Sequence, residues 1–189
     1  MTYTESIEDK NRARAFELLS QMEEEYEKRD PTFFNKILSE EPALVVRVHA
    51  VTVLSEIGNE DSVPVLGDVM KHDPSSLIRH ECAFSLGQMG LKSAVPYLID
   101  AALNDPSEIV RHESAAALGA IGDEKARNSL VQASLDQSEE VRGSALASLF
   151  NLDYLKYASK LKKKIDPDAL VSDIEERKKL AAEKKMPHP

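Results

Sequence analysis

Residues 73–90 read Asp73-Pro74-Ser75-Ser76-Leu77-Ile78-Arg79-His80-Glu81-Cys82-Ala83-Phe84-Ser85-Leu86-Gly87-Gln88-Met89-Gly90. The chain then repeats itself as Asp105-Pro106-Ser107-Glu108-Ile109-Val110-Arg111-His112-Glu113-Ser114-Ala115-Ala116-Ala117-Leu118-Gly119-Ala120-Ile121-Gly122. The register extends in both directions. Arg47, Arg79, Arg111 and Arg142 stand 32, 32 and 31 residues apart, and Val46, Ile78, Val110 and Val141 keep the same steps. So do Leu54, Leu86, Leu118 and Leu149, while Gly58, Gly90 and Gly122 close three of the units. A period of this length marks stacked supersecondary units, none of which can bury its apolar face alone.

Each unit reads as two helices. In one, Ala94, Val95, Leu98, Ile99 and Leu103 recur at helical spacing and stop before Asp105-Pro106, because proline disfavours helix in the residue ahead of it. The second helix starts near Ser107, a candidate N-cap, and runs through Val110, Ser114, Ala117, Leu118 and Ile121 to Gly122. No segment shows sustained strand alternation. The expected fold is all-α, an α-solenoid (α-α superhelix) of four to five helical hairpins. Pairs of this length with a small-residue second helix resemble HEAT-like repeats, whose second helices line the concave surface. Three regions are expected: an N-terminal capping helix over 1–30, a solenoid over 31–152 with the His-Glu repeats at 74–121, and capping helices with a disordered tail over 153–189. The first cap carries the stripe Phe16, Leu19, Met22 and Tyr26. The fourth unit spans Glu139 to Leu152 and is followed by Tyr154 to Lys164. A further amphipathic helix with Leu170, Ile174 and Leu180 is expected beyond Asp166-Pro167.

Composition narrows the function. Of 189 residues 42% are hydrophobic, Trp is absent and aromatics make up 5%, which favours packed helices over sandwiches or barrels. The formal charge is −9; residues 160–189 hold nine Lys/Arg and six Asp/Glu, a local +3, leaving −12 on residues 1–159. Such an acidic body repels nucleic acid and anionic membranes and attracts a basic protein partner. No stretch approaches a membrane span and no signal peptide is visible. The single cysteine, Cys82, fits a reducing compartment. A cytoplasmic protein with no nucleic acid or membrane partner is expected.

The chemistry lies in the duplicated His-Glu dipeptide. Ile78 and Cys82 hold the core-facing positions, which leaves His80 and Glu81 beside the groove near the start of their helix. His112 and Glu113 lie one repeat along at identical phase, and stacked helices sit roughly 8–10 Å apart. Two imidazoles and a carboxylate are therefore close enough to converge. Two His and one carboxylate with open positions form the ligand set of non-haem Fe(II) oxygenases; Zn and Mn suit the same donors.

Arg79-His80-Glu81-Cys82-Ala83-Phe84-Ser85-Leu86-Gly87-Gln88 and Val110-Arg111-His112-Glu113-Ser114-Ala115-Ala116-Ala117-Leu118-Gly119-Ala120-Ile121 resemble the paired His-Glu repeats of deoxyhypusine hydroxylase. That family comprises HEAT-repeat di-iron enzymes that use dioxygen to hydroxylate the deoxyhypusine side chain of translation factor 5A. The resemblance implies an iron-dependent monooxygenase acting on a basic protein substrate. It makes His80, His112 and Glu113 candidate Fe(II) ligands, and Glu81 a ligand or a hydrogen-bonding partner of one. Family members carry two such halves, with four His-Glu pairs. The corresponding residues of the outer repeats here are Val48-His49 and Gly143-Ser144, so the resemblance implies a homodimer that holds two Fe(II). Phe84 and Gln88 face the same groove as His80 and read equally as substrate-pocket candidates or as core packing.

The competing reading is a metal-free HEAT-repeat scaffold whose polar helix starts were copied by duplication. Against it, the outer repeats keep every core landmark but not the pair. Gly122-Asp123-Glu124-Lys125-Ala126 resembles turns in bilin-lyase-like HEAT repeats, a feature with little chemistry of its own. Arg79 and Arg111 read as structural, since Arg47 and Arg142 hold the same place without the dipeptide. His49 reads as a surface or packing residue, His72 as a solvated helix end, Cys82 as buried and inert, and His188 as part of the tail.

Overall fold

Asp-Pro turns and glycines divide the chain into helices throughout residues 7–164, the part that the computed structural model describes. The helices are α1 (Ile7–Tyr26), α2 (Thr32–Glu40), α3 (Leu44–Ile57), α4 (Ser62–His72), α5 (Ser76–Met89), α6 (Val95–Asn104), α7 (Glu108–Ile121), α8 (Arg127–Ala133) and α9 (Glu139–Lys164), with short 3-10 turns leading into α6 and α8. Four pairs, α2/α3 to α8/α9, follow α1, and no strand occurs among the described residues. The chain divides into a unit ending at Leu152 and another starting at Asp153; the repeats belong to the first. The helix expected beyond Pro167 and the tail lie outside the described residues.

The repeat landmarks are the core. Val46, Ile78, Val110 and Val141 are fully buried, as are Leu54, Leu86 and Leu118; each such burial contributes about 1.5–3 kcal/mol before the entropy of ordering is counted. The second helices pack in a row, α3 against α5 and α5 against α7. Small residues permit this: a Cβ on Gly87 would sit 2.7 Å from the Ala117 Cβ. Hydroxyls stitch the row to neighbouring backbone, with Ser85 Oγ donating to the Val51 carbonyl at 2.9 Å and Ser148 Oγ to that of Ala115 at 2.8 Å.

The arginines make a ladder. Arg79 donates Nε and Nη2 to the Asp105 carboxylate at 2.8 and 2.9 Å, and Arg111 binds Asp136 in the same two-pronged way at the same distances. Arg47 pairs with Asp73, and Arg14 of α1 pairs with Glu41 at 3.1 Å. Each carboxylate also shapes its own turn: Asp73, Asp105 and Asp136 accept from the backbone N–H of Ser75, Ser107 and Ser138, each at 2.8 Å. Planar guanidinium matches carboxylate geometry, so one residue locks both the turn and its neighbour.

The Arg111 guanidinium holds the Asp136 carboxyl below its ordinary range, helped by the Ser138 backbone N–H. A carboxyl lowered on folding stabilises fully above its unfolded value, about pH 4. That contribution is lost as pH falls through the lower folded value. The Tm of the wild type should therefore drop on acidification through this window, and Asp136→Asn should show a shallower acid limb from a lower plateau. Parallel limbs in a melt series would contradict this.

Three local details differ from the sequence reading. Ser107 does hold the N-cap position of α7, but its hydroxyl makes no capping bond; its own backbone N–H is instead tied to Asp105 two residues earlier. In α1, Met22 is buried and Leu19 and Tyr26 are half-buried, but Phe16 is exposed, with Ala15 and Leu18 packed on the core instead. Glu139–Leu152 and Tyr154–Lys164 form one helix. The reason is local: Gly90 and Gly122 end α5 and α7 with positive φ of 66° and 70°, whereas the register position after Leu152 is Asp153, which has no such stop.

Candidate functional site

His80 lies in the second turn of α5, between the fully buried Ile78 and Cys82. That phase leaves His80 and Glu81 half-buried along one side of the helix, with side-chain exposures of 26% and 27%. The imidazole bridges two carboxylates. Its Nδ1 stands 3.4 Å from Glu81 Oε1 and its Nε2 stands 3.4 Å from Glu113 Oε2 on α7. The second contact crosses from one repeat to the next, which the Gly87–Ala117 approach of the two helices makes possible.

His112, one repeat along, is held differently. Its Nδ1 lies 2.9 Å from Ser144 Oγ and 3.3 Å from the Glu140 carbonyl, both on α9. The structure thus brings His80, Glu81 and Glu113 together and sets His112 beside the following repeat. Among the described residues, no group of three or more His, Cys, Asp or Glu side chains is arranged to hold a metal ion. The donor chemistry of the pair nevertheless fits one. Two donors about 2.1 Å from a shared first-row cation stand roughly 3–3.4 Å apart, which is the His80–Glu113 separation. Two donors alone do not complete the ligand set of such a cation.

Phe84 and Gln88 are exposed one and two turns beyond Glu81 on α5; neither is a core residue. Val45, Leu77 and Ile109, each one residue ahead of a core valine or isoleucine, are also exposed. Cys82 is excluded from the chemistry, since burial pushes its thiol far above the reactive range. His49 is half-buried at the register position of Glu81, and exposed His72 pairs with Asp68 on its own helix. Lowered chiefly by the Ser138 hydroxyl, the Glu140 carboxyl stays ionised beside His112. A groove of about 740 Å³ lies between α4 and α6, lined by Met70, Lys71, Tyr97, Asp100 and Asn104 among others, and none of the His-Glu residues borders it.

Sequence reasoning passed over Ser144. Its signal was its place: residues 81, 113 and 144 hold one register position, occupied by Glu, Glu and Ser.

A family model described as HEAT repeats matches residues 31–112 and, in a second placement, 63–150. No curated protein matches the chain. Among solved structures, human deoxyhypusine hydroxylase in complex with glycerol is similar, with 30% identity and a TM-score of 0.63. That match covers 68% of this chain and 45% of the human one, so the likeness spans about half of the human enzyme's length. No described helix is long and apolar enough to cross a membrane. With the matched repeats running over α2 to α9, and the same period visible in arginine, valine and leucine, the chain belongs to the HEAT-repeat family.

Proposed function

We propose that this chain is an iron-dependent, dioxygen-using hydroxylase of the deoxyhypusine hydroxylase kind, working as a homodimer. Its substrate in this reading is a modified lysine of translation factor 5A in the reducing cytoplasm. The observation that carries the proposal is the inter-repeat approach of His80 Nε2 to Glu113 at 3.4 Å, made by residues that only the two central repeats possess. Similarity to human deoxyhypusine hydroxylase over two-thirds of the chain supports it.

The ligands in this reading are His80, Glu81, His112 and Glu113, with a second copy contributing the same four and two Fe(II) bound per dimer. A two-fold axis would restore four His-Glu pairs. Bound iron supplies the activation of dioxygen. The protein's own residues do the rest: His80 and Glu113 tie adjacent repeats to one site, and Phe84 and Gln88 border the path of the substrate arm. Glu81, Glu113 and Glu140 draw a cationic side chain toward a body carrying −12 over residues 1–159.

Metal uptake tests it directly. Anaerobic titration with Fe(II), read with solution mass, is expected to give one iron per chain in a dimer. His80→Ala and His112→Ala should each weaken uptake by at least ~100-fold, more than loss of an outer hydrogen bond would. Full iron retention in both variants would overturn the assignment. A wild type that binds no transition metal would leave a peptide-binding scaffold, the reading favoured by exposed Val45, Leu77 and Ile109.

A further inference from the structure

We propose that Ser144 is a positioning residue, which holds the His112 ring against the Glu140 carbonyl so that Nδ1 carries the proton and Nε2 the lone pair. The inference rests on reading His112 as a metal ligand, and it assigns the means by which this chain aims that ligand.

Two oxygens face His112 Nδ1: Ser144 Oγ at 2.9 Å and the Glu140 carbonyl at 3.3 Å. A carbonyl oxygen only accepts, so the nitrogen facing it carries the proton. The hydroxyl can donate or accept; with the proton set on Nδ1 by the carbonyl it accepts from that same N–H, and both oxygens act on one side of the ring. Nε2 is then left with a lone pair, the form in which imidazole binds a metal. An outer oxygen partner on the far nitrogen is a general way of orienting such a ligand.

The comparison within the chain gives the serine its meaning. His80 and His112 hold equivalent places in successive repeats, yet His80 has carboxylates 3.4 Å from both ring nitrogens. What differs is the residue one repeat onward, Glu113 for His80 and Ser144 for His112. A third glutamate at that position would set a second acidic partner beside His112 and compete for a cation. Serine is short and neutral, and keeps the oxygen contact without offering another ligand.

The test uses the metal-free full chain at about pH 8, above the ordinary imidazole range near 6.5. Imidazole ¹⁵N shifts should report the Nδ1–H tautomer for His112 in the wild type and in Ser144→Thr, and a mixture in Ser144→Ala. Titration with Co(II) chloride should then show Ser144→Ala about 10–100-fold weaker than wild type, with Ser144→Thr within about threefold. Adding Ser144→Ala to His112→Ala should cost nothing further, which a merely structural serine would not predict. An unchanged tautomer and unchanged Co(II) affinity in Ser144→Ala would overturn the role. A wild type that takes up no Co(II) would sink the metal reading instead, and the tautomer comparison would still decide whether Ser144 sets the ring.

Discussion

Replacing Arg79 by methionine is expected to destabilise the fold by about 3–5 kcal/mol, the usual cost of leaving one partner of a buried ion pair uncompensated. Arg79 and Asp105 are 8% and 9% exposed, and two charge-assisted bonds join them. Methionine fills most of the volume but leaves the carboxylate with the Ser107 N–H as its remaining bond. The variant also loses Arg79 Nη1 donating to the Asp73 carbonyl at 2.8 Å, so the turns before α5 and before α7 are loosened together. Arg142 is the internal control. It holds the same register position, but its hydrogen bonds go to the backbone carbonyls of Asp136 and Gln137 at 2.9 and 3.0 Å. Arg142→Met should cost about 1–3 kcal/mol. Urea unfolding of the two variants decides it: equal losses would mean that the buried ion pair adds nothing over ordinary packing. Pairing Arg79→Met with Asp105→Leu should recover a large part of the loss, because it removes the unpaired charge.

Gly119→Val should be comparably damaging, at about 3 kcal/mol, for a steric reason. A Cβ at Gly119 would lie 2.2 Å from Ser148 Oγ, 2.6 Å from its Cβ and 2.9 Å from its Cα. The hydroxyl can rotate, but the Cα can yield only if the two helices move apart. Ser148 is itself tied to the Ala115 carbonyl, so the displacement would break a buried hydrogen bond as well as the packing. Overpacking of this kind typically costs 1–3 kcal/mol, and valine's two further carbons put it at the upper end. Gly143→Ala is the counter-test: nothing stands within 4 Å of its Cβ position, and alanine in a helix interior should raise stability by up to about 1 kcal/mol. Chemical denaturation of both variants should give shifts of opposite sign. A tolerated Gly119→Val would mean that the row of second helices slides freely.

Much of this was legible because repetition supplies its own control. A residue kept in all four units, such as Arg47, Arg79, Arg111 and Arg142, announces a role in the scaffold, and the ladder bears that out for the first three through Asp73, Asp105 and Asp136. A pair kept only in the two central units announces something the scaffold does not need. The sequence marks the Asp-Pro turns as helix stops but does not name the partners of the arginines. A turn residue gives no local sign that its carboxylate will be claimed by a side chain 26 residues earlier. Phe16 departs from its expected place in the core for a related reason: positions 15, 18 and 19 offer nearly the same helical face, and only the surface below α1 selects among them.

The amino-acid order alone determined that this is a stack of helix pairs with His80, Glu81, His112 and Glu113 at matching phase, since period, turn residues and apolar spacing are local properties that each unit carries within itself. Only the tertiary structure decided that His80 turns toward Glu113 while His112 turns toward Ser144. Those directions depend on which side chain the neighbouring repeat presents at distances near 3 Å. That distance is set by how closely Gly87 and Gly119 let the helices approach, and it does not exist until the repeats have stacked.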